Sequence, residues 1–219
     1  MAALTWNETD RNWQTGVDHV AMCINGTGEK LVAWNGVSSI TESPQGAEVT
    51  AIYADNIKYL NLTSVEDFKA SIECYTYPAK FEECIGISSV SGLKIPQQKH
   101  KTFGLMFRTK KIDSSDDEKY LYHFIYNCRV GVADTQYQTI NDSPEAMTFS
   151  YDIQTLPYSE ALTGDLANVK SFAHLTVEPT GTAATEALEA LWDGNKAFPT
   201  PNEVLTAAST SASASASAS

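Results

Sequence analysis

Short segments of alternating apolar and polar residues follow one another through most of the chain, separated by turn residues. The stretch GAEVTAIYADNIKYLNL at 46–62 is the clearest example. Its first half places Val49 and Tyr53 on the same face, breaks at Asp55 and Asn56, and then resumes. Successive side chains of a β-strand point to opposite faces, so this period of two predicts a strand, a turn and a second strand. At least one face of the first strand is expected to be buried.

Further segments have the same strand-like character. They lie at 17–24, 30–34, 37–43, 69–77, 101–109, 119–130, 146–157 and 169–178. The first two end at Asn25-Gly26 and Asn35-Gly36, and Asn-Gly supplies the positive φ angles of a tight type I′ turn, so both pairs predict hairpins. Many strands with few helices predict a mainly β domain, a β-sandwich or barrel-like fold.

The segment KYLYHFIYNCRV at 119–130 is unusual because both of its faces are rich in large side chains. One face holds Tyr120, Tyr122, Phe124 and Tyr126, and the other holds Leu121, His123 and Ile125. A strand that faces water on one side would alternate between apolar and polar residues. We therefore expect material to cover both faces of this strand.

Two segments predict helices. PAKFEECIG at 78–86 predicts a short helical turn, with Pro78 in its first turn and Gly86 closing it. TAATEALEALWDGN predicts one flanking α-helix, with Thr182 as N-cap and Gly194 as terminator; its apolar stripe is Leu188, Leu191 and Trp192. The last residues alternate Ser and Ala, which cannot bury enough apolar surface to offset the entropy of ordering.

These patterns divide the chain into three parts. Residues 1–16 are expected to form an N-terminal arm, 17–205 the β domain, and 206–219 a disordered Ser/Ala-rich tail. The N-terminal residues lack the apolar core of a signal peptide, and no window approaches the length of a membrane span. We therefore expect no contact with a membrane.

Charge and cysteine spacing exclude several functions. The chain has 27 acidic and 15 basic residues, a net charge of −12. Binding to a phosphate backbone needs clustered Lys and Arg, so this balance argues against nucleic-acid binding. The cysteines are too widely spaced for a zinc or redox motif, and we expect them to be reduced and mostly buried; they are Cys23, Cys74, Cys84 and Cys128.

No group of residues in the sequence has the spacing of a catalytic or metal site. The histidines, His19, His100, His123 and His174, have no Cys, His or carboxylate partner at ligand spacing, which favours a structural or surface role. The acidic segment DSSDDEK at 113–119 lacks the spacing and the glycine of an EF-hand and is interpreted as a solvated loop. The sequence therefore predicts no enzymatic activity, no cofactor and no bound metal.

Several longer stretches follow one another within about residues 17–205. They are WNGVSSITESPQGAEVTAIYADNIKYLNL, IECYTYPAKFEECIG, QQKHKTFGLMFRT, YLYHFIYNCRV, INDSPEAMTFSYDIQTLP and the terminal LEALWDGN with FPTPNEVL. Together they resemble the major tail proteins, or tail tube proteins, of long-tailed bacteriophages with non-contractile tails. The combination of YADN and KY with YTYP, FEEC and a glycine is the most specific part.

The resemblance implies a tail-tube domain, a β-sandwich flanked by a helix, that assembles as stacked hexameric rings into a hollow tube. The expected partners are other copies of the chain and the tail-tip, tape-measure and tail-terminator proteins. The protein would be a virion component assembled in the bacterial cytoplasm. DNA would pass through without specific binding, and six chains of net charge −12 would carry −72 (6 × −12), which repels phosphates.

This interpretation points to residues at subunit contacts. Strand edges can pair across subunits, and the basic stretch 99–111 is expected to form ion pairs with a neighbouring subunit. The candidate contact residues are Tyr53, Asp55 and Asn56 in the strand–turn–strand segment, Lys99 and Lys101 in the basic stretch, and Asp116 and Asp117 in the acidic segment.

Two other functions remain open from the sequence. A monomeric β-sandwich module could bind carbohydrate or a cell surface by stacking sugars on its tryptophans, which are Trp6, Trp13, Trp34 and Trp192. A hydrolase could use the carboxylates Asp113, Asp116 and Glu118. Acids clustered on one loop lack the opposed geometry that acid–base chemistry needs, which disfavours the hydrolase.

Overall fold

Antiparallel strands dominate the structure, a computed structural model that describes residues 12–46, 49–63, 66–113, 118–135, 137, 139, 146–158, 162, 166–167, 169 and 171–210. The strands in this part are β1 (Asn12–Ile24), β2 (Val32–Ala33), β3 (Val37–Glu42), β4 (Gln45–Gly46), β5 (Val49–Ala54), β6 (Ile57–Thr63), β7 (Glu66–Asp67), β8 (Lys69–Cys74), β9 (Ser88–Val90), β10 (Leu93–Ile95), β11 (Phe103–Asp113), β12 (Glu118–Val130), β13 (Phe149–Thr155) and β14 (His174–Val177). The helices are α1 (Phe81–Cys84), α2 (Thr182–Glu189) and α3 (Pro201–Ala208). The mainly β prediction is confirmed.

The main sheet curls so that its two ends approach each other. Its strand order is β2-β1-β11-β12-β13-β8-β3, and β14 pairs with β12 beside this path. The strands at the two ends, β2 and β3, are consecutive in the chain, and β3 lies beside β1. Two hydrogen bonds of 2.8 Å hold the connection between β2 and β3 against the sheet. The Trp34 amide donates to the Val20 carbonyl of β1, and the Tyr75 amide, just after β8, donates to the Gly36 carbonyl. This closure gives the sandwich-like, barrel-like shape that the sequence predicted.

Strand β12 lies between two hydrophobic cores. Ile125, Cys128 and Val130 belong to the core inside the curled sheet. Tyr122, Phe124 and Tyr126 belong to a second core on the other side, beneath α2 and α3, together with Leu188 and Val204. The prediction that both faces of this strand are covered is confirmed.

An aromatic cluster around Phe81 fills the inner core. Helix α1 places this side chain, which is fully buried, among other rings. Its centroid lies 4.3 Å from that of Trp34, 5.0 Å from Tyr151 and 5.6 Å from Phe103. Gly86 follows the helix with a φ of +75°, and a Cβ there would lie 2.6 Å from the Gln98 carbonyl oxygen. The predicted short helical turn and its terminating glycine are confirmed.

Two helices cover the outer core, where the sequence predicted one. In α2 the N-cap is Gly181, so the assignment of Thr182 as the cap was wrong. Helix α3 was not predicted, although Thr200 and Glu203 form a capping box and Pro201 follows the cap, a sequence signal for a helix start. It enters the segment assigned to the disordered tail, of which 211–219 lie outside the described residues.

The two predicted Asn-Gly hairpins differ from the structure. Residues 25–31 join β1 to β2 as a loop longer than a two-residue turn, and the Asn25 side chain donates to Asn127 Oδ1 at 3.0 Å. Asn35-Gly36 is not a hairpin turn, because β2 pairs with β1 and β3 pairs with β8. Long-range pairing across the curled sheet overrides the local preference of Asn-Gly.

Irregularities in β1 explain why its start was missed. The strand begins at Asn12, inside the predicted N-terminal arm. Its pairing with β11 shifts register between Thr15 and Val17 and again between Asp18 and Ala21, and His19 has a φ of +49°. Such bulges interrupt the alternation of side chains that a sequence pattern depends on.

The cysteines lie in the interior. All four are free thiols and buried, as predicted. Burial raises the pKa of each thiol, and that of Cys84 reaches about 12. The thiolate is the reactive form, and desolvation in the folded protein disfavours it. Burial also keeps reagents away from the sulfur atoms, so both effects lower the reactivity of the thiols.

We expect the native protein to react with a thiol reagent near pH 8 at a small fraction of the rate of the unfolded chain. The protein in denaturant should titrate four thiols, and this measurement is the control. The thiol pKa values are raised on folding, so the unfolded chain releases thiol protons more readily than the folded protein. The thiols therefore leave the free energy of unfolding unchanged below the unfolded pKa of 9.0 and lower it as the pH rises above that value. Rapid labelling of one or more thiols in the native state would contradict the buried arrangement.

Candidate assembly surface

Strands β5 and β6 form a hairpin that pairs with no other strand in the described part of the chain. The register pairs Val49 with Thr63 and Ile52 with Leu60, and it shifts between Ile52 and Tyr53. Asp55 and Asn56 connect the strands with φ values of +51° and +62°. Two consecutive positive φ values are those of a type I′ turn, so the predicted strand–turn–strand is confirmed.

Large apolar side chains are exposed on both sides of this hairpin. Paired residues share a face, which places Ile52, Leu60 and Leu62 together and Val49 on the opposite side. The exposed large residues are Val49, Ile52, Tyr53, Ile57, Tyr59, Leu60 and Leu62, and the fractions reach 69% for Tyr53. The expectation that one face of β5 is buried was therefore wrong for the single chain. Only Ala51 is partly covered within β5.

The exposed hairpin is energetically unfavourable in isolation. A two-stranded ribbon is at best marginally stable in water, and apolar area left in solvent forgoes about 25 cal/mol per Å² of stabilisation. Contiguous exposed apolar patches commonly mark surfaces that bind another protein. We refer to residues 49–63 as the exposed hairpin.

A second and shorter hairpin, β9–β10, has the same character. Val90, Leu93 and Ile95 are exposed at 57%, 64% and 41%. Ser91 and Gly92 form its turn with positive φ values. Lys94 pairs with Glu82 of α1, which fixes the hairpin against the helix.

The basic stretch forms ion pairs within the chain. Arg108 Nε donates to Asp18 Oδ1 at 2.6 Å, and Arg108 Nη1 donates to Glu189 Oε1 at 2.9 Å. The lysine pairs are Lys101–Glu83 at 2.6 Å, Lys110–Glu118 at 2.9 Å and Lys111–Glu178 at 2.7 Å. The fold brings these carboxylates next to the basic stretch from β1, β12, α1, α2 and the residue that follows β14. Pairing of the basic stretch with a neighbouring subunit stays a prediction.

The predicted contact residues are distributed over separate regions. Tyr53, Asp55 and Asn56 lie together on the exposed hairpin. Lys99 and Lys101 lie just before β11, near α1, and Lys101 is held by Glu83. Asp116 and Asp117 lie outside the described residues. Sequence reasoning missed the apolar residues of β6. They could have been found because IKYLNL read as a strand places Ile57 and Tyr59 on one face and Leu60 and Leu62 on the other.

The fold brings two histidines to a carboxylate. Glu42 ends β3, His123 lies in β12 and His174 begins β14. One carboxylate oxygen and one nitrogen from each ring lie within 4.8 Å of one another, and none of these residues is near another in sequence. The interpretation of the histidines as lacking such partners therefore does not hold in space for this pair, whereas the absence of a bound metal remains a prediction.

The tryptophans do not form a sugar-stacking surface in the described part of the chain. Trp34 is 2% exposed in the inner core, and its Nε1 donates to the Thr76 carbonyl at 2.8 Å. Trp192 packs on Tyr122 and donates to the His19 carbonyl. Trp13 is half-exposed, and Trp6 lies outside the described residues. Core packing accounts for Trp34 and Trp192.

No helix in the described ranges is long and apolar enough to cross a membrane.

We expect replacement of both Asp55 and Asn56 by alanine to loosen the exposed hairpin and leave the main sheet intact. A left-handed conformation costs about 1–2 kcal/mol for a residue with a Cβ, and alanine lacks the side-chain hydrogen bonds that offset this cost. Hydrogen exchange should accelerate in 49–63, while the melting temperature changes little. Assembly should be impaired more than melting.

The matched control replaces the same two residues by glycine, which adopts positive φ without a steric penalty. This variant should keep slow exchange in the hairpin better than the alanine variant. Equal loss of hairpin protection and of global melting temperature in the alanine variant would show that the turn belongs to the cooperative core.

Comparison with known proteins gives limited results. The sequence matches no protein-family model and no curated protein sequence significantly. One similar solved structure is a chain of the anti-feeding prophage (AFP) baseplate, determined by cryo-EM with 6-fold symmetrisation. The TM-score is 0.41 at 7% identity, over 81% of this chain and 98% of that chain. This agreement is too low to assign a fold family or a function to the chain.

Proposed function

We propose that this protein is a structural subunit of a phage tail that polymerises through its own copies into the tail tube. The observation that carries the proposal is the exposed hairpin, which presents apolar side chains on both faces and pairs with no other strand of the described chain. The sequence resemblance to tail tube proteins supports the same function. Stacked hexameric rings are the form of assembly that the resemblance implies.

The partner that best fits the exposed hairpin is a second copy of the chain. A ribbon with apolar side chains on both faces needs cover on both faces, and a position between neighbouring subunits provides it. Its outer backbone edges also carry N–H and C=O groups that can pair with another strand. The second apolar hairpin, β9–β10, offers a further contact of the same chemistry.

The charge distribution is compatible with a conduit for DNA. The net charge is −12, and four cations of the basic stretch, Lys101, Arg108, Lys110 and Lys111, are engaged by carboxylates. Acidic residues outnumber basic ones, and a tube of such subunits would let DNA slide without adhering. Tail-tip, tape-measure and tail-terminator proteins would be its other partners, and the virion its location.

We expect concentrated protein to form rings or tubes visible by negative-stain electron microscopy. A chain that remains monomeric at high concentration, by sedimentation and by microscopy, would contradict the proposal. It would favour the alternative of a monomeric binding module.

We expect the double variant Ile52→Thr and Leu62→Thr to assemble poorly. Threonine keeps the strand preference and removes apolar area. Full burial of an aliphatic side chain contributes about 1.5–3 kcal/mol, so the concentration needed for assembly should rise more than about tenfold. The melting temperature of the monomer should change little, because Ile52 is 39% and Leu62 is 54% exposed in the single chain.

The control for this variant is Val132→Thr, a comparable change at a side chain that is 95% exposed and lies off the hairpin. It should assemble like the parent protein. The same assembly defect in both variants would show that general surface polarity, and not the hairpin, controls polymerisation.

We expect salt to strengthen assembly or to leave it unchanged, and DNA not to bind. Ion pairs between subunits would weaken as salt rises from about 0.05 to about 0.5 M, but the cations near β11 are paired within the chain, and apolar contacts are not screened. Light scattering across this range tests the first point, and filter binding of DNA tests the second. Salt-induced disassembly, or tight salt-sensitive DNA binding, would contradict this account.

A further inference from the structure

Glu42, His123 and His174 converge at the place where the end of β3 meets β12 and β14. Glu42 Oε1 lies 3.6 Å from His123 Nδ1 and 3.4 Å from His174 Nε2. The two nitrogens are 3.4 Å apart. The three donor atoms thus form a nearly equilateral triangle.

The size of this triangle matches the coordination shell of a small ion. Zinc binds imidazole nitrogen and carboxylate oxygen at about 2.0–2.2 Å with tetrahedral angles, which places neighbouring donor atoms about 3.3–3.5 Å apart. The observed separations of 3.4–3.6 Å are close to this value without movement of the backbone.

The second ring nitrogen of His123 is held by another residue. Its Nε2 lies 3.1 Å from Thr109 Oγ1 of β11, so the hydroxyl oxygen can accept a hydrogen bond from Nε2–H. The Nδ1 lone pair is then directed at Glu42 and His174. The ring is also stacked against Phe107 with an interplanar angle of 3°. Metal-binding histidines are commonly oriented in this way by a hydrogen bond at the far nitrogen.

A fourth polar atom, a hydroxyl oxygen, lies beside the triangle. Thr176 Oγ1 is 3.3 Å from His123 Nδ1 and 3.2 Å from His174 Nε2. This hydroxyl can hydrogen-bond a water that completes a four-coordinate site. Glu42 is exposed on the protein surface, so an ion can enter from solvent.

The three groups differ in exposure. His123 is buried, His174 is partly buried and Glu42 lies at the surface. In the described part of the chain the contacts of the Glu42 carboxylate with groups that can carry positive charge are with these two imidazoles.

We propose that Glu42, His123 and His174 form a binding site for a divalent transition-metal ion, with Zn²⁺ as the best match. Two imidazoles and one carboxylate are a common zinc ligand set, whereas Ca²⁺ and Mg²⁺ prefer oxygen alone. The ion would link the end strand β3 of the main sheet to β12 and β14. This site is independent of the proposed role in tail assembly.

The competing interpretation is a hydrogen-bonded cluster without metal. In that case the Thr176 hydroxyl and one imidazole N–H would form hydrogen bonds with the same carboxylate oxygen and ring nitrogens. Both interpretations predict that the residues stabilise the fold. Only the metal site predicts saturable binding of one ion that depends on the carboxylate.

The test uses the full chain, first stripped of metal with a chelator and then titrated with Zn²⁺ by calorimetry. One equivalent should bind, and Zn²⁺ should raise the melting temperature, which the chelator should reverse. Co²⁺ should give the visible absorption bands of a tetrahedral nitrogen–oxygen site. Absence of saturable binding would overturn the proposal.

Variants locate the site. Glu42→Gln removes the carboxylate at an exposed position that should not disturb folding, and His174→Gln removes one imidazole; each should abolish the one-equivalent binding. Thr109→Val should weaken affinity about 10- to 100-fold through the lost orientation of His123. If His174→Gln fails to fold, Glu42→Gln decides.

The matched control is His19→Gln. His19 lies 3.2 Å from Asp18 on the surface and is a competing histidine–carboxylate pair. This variant should bind Zn²⁺ as the parent protein does. Undiminished binding in Glu42→Gln, or loss of binding in His19→Gln, would assign the ion to another place and overturn the proposal.

Discussion

The structure depends on a single strand, β12, that is buried on both faces. Its alternate side chains enter two different cores, one inside the curled sheet and one beneath the helices. Its backbone pairs with β11 on one edge and with β14 and β13 in succession on the other. Because both faces are buried, neither set of side chains can move into solvent. A register shift of one residue would exchange the two cores, so the packing specifies the register strongly.

The exposed hairpin is the opposite case. Its residues are as apolar as those of β12, but nothing else in the described chain covers them. Apolar alternation indicates that a strand face is buried, and it does not indicate whether the covering atoms belong to the same chain. A contiguous exposed apolar patch of this kind commonly marks a surface that binds another protein, and this is the observation behind the proposed self-assembly.

The cations near β11 form their ion pairs with carboxylates of the same chain. The cations around β11 are matched by carboxylates that the fold brings close, and the excess of acidic residues remains for the surface. The exposed pair Lys110–Glu118 contributes about 0–1 kcal/mol. All of these pairs reduce the basic surface available to phosphates. In the proposed assembly, burial of apolar surface would therefore be the principal favourable contribution to the free energy.

Four features could be predicted from the sequence: the strand-rich class, the two-sided burial of 119–130, the turn at Asp55-Asn56 and the helix closed by Gly86. Each depends on local periodicity or on a residue's own φ preference. The folded chain was needed to show that Asn35-Gly36 lies in the connection that closes the sheet, that β1 is bulged and that the hairpin is exposed. It alone also joined Glu42, His123 and His174. These features arise from pairing between segments far apart in the chain, and such pairing leaves no spacing pattern in one sequence.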